Sequence, residues 1–301
     1  MGRWSVSSRM HADEVDTDPR LVRRLLAAQF PQWASLPVRP VPSAGTDNAL
    51  YRLGADLAVR LPRIDWAVDD VAKEHRWLPL LAGQLPLAVP APLGAGRPGE
   101  GYPWPWSVYR WLPGEDAAGG RLRNLAETAT DLAGFVTALH RIEAPRPLDP
   151  AGSSRGVPLA LRDAATRAAI DALAGSVDRG AVTDAWEAAL AAPEWHGRPV
   201  WVHGDLTPGN LLVEEGRLSA VIDFGALNVG DPAVDLLPAW NLFPARVREV
   251  YRAALGVDDA TWERGRGWAL SVALIALPYY RHTNPAITAG SQLVIDRVLT
   301  S

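Results

Sequence analysis

Residues 201–235 read WVHGDLTPGNLLVEEGRLSAVIDFGALNVGDPAVD, in which His203, Asp205, Asn210 and Asp223 stand among apolar runs of β type. Asp205 and Asn210 lie five apart across Thr207-Pro208-Gly209, a tight loop. Asn210 to Val213, a Glu-Gly turn and Leu218 to Ile222 form a hairpin pattern, which returns the second strand beside the first and brings Asp223 next to Asn210. A carboxylate and an amide oxygen so placed can share a hard cation such as Mg²⁺, with Asp205 beside them as a candidate base. Single Asp and Asn residues in loops usually make turns and caps; the ordered set is what points to chemistry.

H-x-D-L-x-x-x-N followed by D-F-G resembles the core of the protein-kinase superfamily, with Gly204 where protein kinases carry Arg. The form H-G-D-L-x-P-G-N with a later G-D-P-x-x-D-L resembles the aminoglycoside phosphotransferase-like family of small-molecule kinases. The resemblance implies an α+β, bilobal protein-kinase-like fold, with a small antiparallel-sheet N-lobe and a mainly helical C-lobe. It implies a catalytic role for Asp205, which accepts the acceptor's hydroxyl proton, and metal binding by Asn210 and Asp223. His203 is expected to brace the catalytic loop by hydrogen bonding.

At 301 residues the chain is long enough for two lobes with separate cores. Net charge is −4, pI is near 5.9, and Lys73 is the only lysine among many arginines, so no broad basic face for nucleic acid is expected. Zero cysteines exclude disulfides and thiolate metal sites, which suits a reducing cytosol. The first residues lack the apolar core of a signal peptide, and no run of ~18 apolar residues occurs, so a cytoplasmic protein without a membrane span is expected. The thirteen tryptophans are assigned chiefly to core and lobe packing, a minority to a ligand pocket.

Toward the N-terminus, residues 1 to 10 read as a flexible lead, with Met10 as an alternative start. Asp18-Pro19 opens a helix with Leu21, Val22, Leu25, Leu26 and Phe30 at helical spacing. Strand patterns follow at Val38 to Pro42, Asn48 to Leu53 and Asp56 to Leu61. The turn Ser43-Ala44-Gly45-Thr46-Asp47 has two readings, a plain hairpin turn or a cover for nucleotide phosphates, with Ser43, Gly45 and Thr46 as the cofactor-binding candidates. The third strand ends V-R-L-P, with Arg60 where the kinase pattern calls for Lys. Arg60 either binds phosphate oxygens bidentately or sits on the surface without a special role. A helix over about 69–78 carries Glu74, the candidate partner that positions Arg60, whereas the adjacent Lys73 is expected to point elsewhere. Tyr109, Arg110 and Trp111 end a strand before Pro113-Gly114-Glu115 and match the family's hinge, whose backbone reads the purine edge; the expected domains are 1–112 and 113–301.

Beyond the hinge, Asn124 to Arg141 is an amphipathic helix whose Asn124 and Glu127 resemble a capping box, and His140 near its end is taken as structural. Residues 145–160 form a Pro/Gly/Ser loop, and 161–192 hold two helices. Asp231 is read as a helix cap or a substrate contact, and Asp235 as a support for the catalytic loop or a substrate contact. Trp240, Tyr279 and Tyr280 are further candidates for the acceptor side. From Trp240 onward seven arginines stand against five acidic residues, too few carboxylates for a polycationic aminoglycoside. The expected function is an ATP- or GTP-dependent, Mg²⁺-requiring phosphotransferase acting on a small-molecule hydroxyl. An aminoglycoside or macrolide antibiotic and a metabolic alcohol (choline, sugar or amino alcohol) stay open as acceptors, and monomer and dimer stay open as assemblies. A non-catalytic nucleotide-binding protein is the rival from another class; a protein kinase is disfavoured because no A-P-E segment follows D-F-G.

Overall fold

The computed structural model describes residues 13–42, 45–144 and 154–301. The expected lead at 1–10 with Met10, the turn residues Ser43 and Ala44, and positions 145–153 of the expected loop lie outside the described residues. Asp18 opens the first helix as its pattern dictates: α1 (Pro19–Gln29) has proline at its start and Asp18 Oδ1 accepting from Leu21 N at 2.7 Å. Then come β1 (Val38–Pro40), β2 (Asn48–Leu53), β3 (Leu57–Pro62), α2 (Val68–Leu81), β4 (Pro92–Gly96) and β5 (Trp106–Arg110). The strands form one antiparallel sheet in the order β1-β2-β3-β5-β4.

Successive strand side chains point to opposite faces, and β3 shows what that decides. Val59 and Leu61 share one core with Val22, Leu25 and Leu26 of α1. Arg60 between them therefore faces the other side, toward α2. After β5 the Trp111 N–H donates to Asp56 O at 2.7 Å, and the chain then leaves this sheet.

The remainder contains β6 (Glu115–Asp116), α3 (Leu125–Arg141), α4 (Asp163–Ala172), α5 (Arg179–Ala191), β7 (Val200–Val202), β8 (Leu211–Glu214), β9 (Arg217–Val221), β10 (Asn228–Gly230), α6 (Pro238–Asn241), α7 (Ala245–Leu255), α8 (Asp259–Tyr280) and α9 (Pro285–Leu299). The expected hairpin is β8–β9, turned by Glu215 at φ 51° and Gly216 at φ 80°, the left-handed pair that a two-residue turn requires. Strand β6 pairs with β8, and β7 pairs with β10. Asn124 caps α3 through Ala126 N and Glu127 N, but the reciprocal half of the expected box does not form, because Glu127 pairs with Arg217 at 2.6 Å. One helical core joins Leu132, Phe135 and Leu139 of α3 to Trp186, Phe224, Trp240 and Trp268, and it also takes in Leu78 and Tyr109 from the sheet side. Trp106, Trp186, Trp201, Trp240 and Trp268 are fully buried, as expected of core tryptophans. Among the described residues, no helix is long and apolar enough to cross a membrane. The small antiparallel sheet followed by a mainly helical body is the expected α+β arrangement.

Candidate active site

Arg60 links two carboxylates that lie far apart in sequence. Its Nη1 donates to Glu74 Oε1 and its Nη2 to Asp223 Oδ1, both at 2.7 Å. Glu74 is 1 % exposed, and its second oxygen accepts from the Tyr109 hydroxyl. Burial works against the Arg60 charge, but Asp223 and Glu74 outweigh it and hold the guanidinium pKa well above its ordinary value. Asp223 stands at φ 63°, a left-handed conformation uncommon for a residue with a Cβ, and its Oδ1 accepts from Gly225 N as well. Burial pushes the Asp223 carboxyl up, while Arg60, His203 and the Gly225 N–H together bring it below the ordinary aspartate value.

The loop between β7 and β8 is held by its own polar groups. Asp205 N donates to His203 Nδ1 at 3.2 Å, which makes Nδ1 the acceptor; Nε2 therefore carries the proton and donates to Ile222 O at 3.1 Å. The buried His203 ring, set edge-on to Phe224 at 4.7 Å, thus ties the Asp205 loop to the Asp223 segment. Asn210 Nδ2 donates to Asp205 O at 2.8 Å and to Asp205 Oδ2 at 2.9 Å, and Ile222 N bonds Asn210 O at 2.9 Å, one residue short of Asp223. Asp235, 0 % exposed, accepts from His203 N at 3.0 Å and Gly204 N at 2.8 Å and meets His140 Nε2 at 3.0 Å.

Gly204 explains why this loop does not carry the arginine of protein kinases. Its φ is +79°, and an added Cβ would lie 2.7 Å from Arg155 Cβ and 2.9 Å from Ala226 O. Gly204→Ala is expected to cost roughly 2 kcal/mol or more from the combined backbone and contact strain, read as a lower melting temperature together with reduced turnover.

Several expectations are corrected by burial and contact. Lys73 does not point away: its Nζ donates to Gly225 O and pairs with Asp70 at 3.0 Å, so α2 grips the Asp223 turn. The Tyr109 side chain is buried with its hydroxyl on Glu74, a contact that leaves the expected backbone role of this residue untouched. The Arg110 N–H donates to Ala91 O at 2.9 Å and that of Trp111 to Asp56 O, so these two backbone donors are committed to neighbouring segments. Asp231 is capped onto Ala233 N at 3.0 Å and paired with Arg264 Nε at 2.7 Å, buried on both sides, and so does not face an acceptor. Asp235 supports the loop and is closed to substrate, and Trp240 is buried against Trp262 at 4.8 Å. Tyr280 differs: its hydroxyl donates to Thr46 Oγ1 at 3.3 Å, bringing the end of α8 onto the turn that includes Gly45, with Tyr279 beside it and 54 % exposed.

Two residues beside the motif escaped the sequence reading. Arg155 Nη2 lies 3.4 Å from Asp205 Oδ1. Burial raises the Asp205 carboxyl pKa, opposed by Arg155 and aided by Asp223. Asp70 is raised by burial to about 6 despite Lys73. A carboxyl with a raised folded pKa binds its proton more tightly when folded, so its contribution to stability falls as pH rises between about 4 and 6. Asp70→Asn is expected to flatten that part of the stability curve and to gain roughly 1–2 kcal/mol at pH 7, measured by denaturant unfolding at pH 4 and 7. Neither residue has a local signal: Arg155 lies in a Gly/Ser loop, and Asp70 is one acid of an acidic helix start.

Among the described residues no group of three His, Cys, Asp or Glu side chains could hold a metal ion. The amide oxygen of Asn210 and the carboxylate of Asp223 are hard oxygen donors, whose chemistry would suit Mg²⁺.

The model of the phosphotransferase enzyme family matches residues 37–268. A search of curated proteins finds no match. Among solved structures, wild-type aminoglycoside 2'-phosphotransferase-IIIa in its GDP complex is 20 % identical, with TM-score 0.72 over 94 % of this chain and 99 % of that one. The ADP-bound aminoglycoside phosphotransferase APH(2'')-Ib is 17 % identical, with TM-score 0.63 over 94 % and 99 %. Macrolide 2'-phosphotransferase MphH from Brachybacterium faecium is 25 % identical, with TM-score 0.63 over 93 % and 97 %.

Proposed function

Since the chain belongs to the phosphotransferase enzyme family, we propose that it moves the γ-phosphoryl group of ATP or GTP onto a hydroxyl of a small molecule. The observation that carries this reading is the single constellation in which Arg60 joins Glu74 to Asp223 while Asp205, hydrogen-bonded to Asn210, stands on the adjoining loop. The part before residue 113 would bind nucleotide, the part after it the acceptor, and Thr46 with Tyr280 marks where the two meet.

In the reaction the acceptor hydroxyl hydrogen-bonds to Asp205, which takes its proton as the new O–P bond forms and the bond to the leaving nucleoside diphosphate breaks. Asn210 and Asp223 would hold Mg²⁺, which neutralises phosphate charge when bound. Arg60, anchored by Glu74, keeps a fixed positive charge at the phosphate end, and His203 and Asp235 hold the Asp205 loop in place. Such catalysis is mostly positioning and charge neutralisation. Solved structures of similar proteins hold GDP, ADP, ATP, kanamycin, gentamicin and streptomycin, which makes antibiotics natural first acceptors to try, beside choline and sugars. Coupled nucleoside diphosphate release, run with ATP and with GTP over antibiotics and small alcohols, tests the reading; acceptor-dependent release supports it, and its absence across the whole panel counts against it.

A further inference from the structure

The Asp205 carboxylate is met by a guanidinium held in a built position. The Arg155 backbone is pinned just after its side chain: Arg155 O accepts from Asn228 Nδ2 at 2.7 Å, and the next carbonyl, of Gly156, accepts from Asp231 N at 2.8 Å. The side chain of Arg155 is therefore delivered to Asp205 by the segment that follows the D-F-G turn, and Gly204 is the residue that leaves room for it. Of the two Asp205 oxygens, Oδ2 is held by Asn210 at 2.9 Å and Oδ1 by Arg155 at the looser 3.4 Å, so Oδ1 is the more loosely held of the two and the one assigned to an incoming hydroxyl.

Other charges nearby reinforce this sign. Arg162 lies close enough to Arg155 that, after burial, its neighbour is the next cause lowering its pKa to about 10. Arg162 bonds Ser271 Oγ at 2.9 Å, covers the Trp268 ring and, among the described residues, pairs with no carboxylate. Among the described residues, Asp231 is engaged by Arg264, Asp235 by the loop N–H groups and His140, and Asp47 by Thr46 Oγ1 at 2.7 Å and Trp66 Nε1 at 3.2 Å.

We propose that Arg155 is the specificity-determining residue of the acceptor side, turning it against ammonium-bearing hydroxyl compounds and toward neutral or anionic ones. An acceptor bound to Asp205 Oδ1 brings any cation beside its hydroxyl within several ångströms of this guanidinium, where like charges repel strongly enough to change relative rates about 10- to 100-fold. This rests on the phosphotransfer reading and deepens it, and it sets aside polycationic amino sugars as preferred acceptors.

The test uses three sugars of one shape and different charge, glucosamine, glucose and glucuronate, with the wild-type chain and the Arg155→Gln and Arg155→Glu variants. Diphosphate release gives kcat/KM for each sugar with Mg²⁺ and the better of ATP or GTP. The wild type is expected to favour glucose or glucuronate over glucosamine by at least about tenfold, Arg155→Gln to level the ratio, and Arg155→Glu to reverse it. A wild-type preference for glucosamine, indifference to charge, or an unchanged ratio in an Arg155→Glu variant that melts as a folded protein overturns the proposal. Absence of diphosphate release with all three sugars, alongside intact nucleotide binding, shows only that none of them is turned over, phosphotransfer itself being tested by the wider acceptor panel; the charge preference is then read from saturation-transfer NMR of the same sugars in the presence of ADP and Mg²⁺, with the same order supporting or overturning it.

Discussion

Asp205→Asn is expected to lower turnover by about 10³-fold, within the range of 10²–10⁴ for a lost general base, while nucleotide affinity stays within about twofold of the wild type. The physical reason is the separation of tasks on the two sides of the β8–β9 hairpin. On the proposed reading Asp205 meets the acceptor through Oδ1, while Asn210 holds its Oδ2 and backbone carbonyl, and the phosphate end is the linked set Arg60, Glu74 and Asp223. The Asn side chain is nearly isosteric, so the loop bonds from Asp205 N to His203 and from Asn210 to Asp205 O persist. The loss should therefore fall on kcat. Single-turnover phosphate transfer with an identified acceptor, set beside nucleotide titration, measures it. Full activity in Asp205→Asn would remove the base from this residue, and an equal loss of nucleotide affinity would move the residue to the phosphate end.

Arg60→Met is expected to destabilise the fold by roughly 3–5 kcal/mol and to weaken nucleotide binding at the same time. Glu74 is almost wholly buried, and without Arg60 its carboxylate would keep the Tyr109 hydroxyl and lose its countercharge. At about 2–4 °C per kcal/mol for a chain of this size, the melting temperature should drop by about 10 °C. Adding Glu74→Gln to Arg60→Met removes the stranded charge and should restore much of the stability, while leaving phosphotransfer low, because Asp223 still lacks its partner. Arg60→Lys should fall between, since one ammonium can meet either Glu74 or Asp223 but cannot span both as the guanidinium fork does. A single mutant that melts like the wild type would show that Arg60 is not the bridge between α2 and the Asp223 turn.

How much of this was legible beforehand depends on where each contact comes from. His203, Asp205, Asn210 and Asp223 could be grouped from the sequence because one tight loop and one two-residue hairpin bring them together, and both signals are local. The pairing of Arg60 with Glu74 was reachable through the family resemblance and a strand followed by a helix. The reach of Lys73 to Gly225 was not, because neighbours on a helix diverge by about 100° and only the placement of α2 on the sheet says what each then meets. Asp231 and Trp240 read equally well as acceptor contacts until the packing of α8 and α9 buried them.

The sequence by itself determined the phosphotransferase class and the grouping of the polar set, since the loop, the hairpin and the strand–helix order are written in local patterns of turn residues and alternating apolar positions. Only the tertiary structure brought Arg155 to Asp205. Arg155 comes from a Gly/Ser loop fifty residues ahead of Asp205, and its approach depends on the bonds from Asn228 and Asp231 and on the space that Gly204 leaves. Contacts of that range carry no sequence period; they follow from how separately folded segments pack, and the charge beside Asp205 is set there.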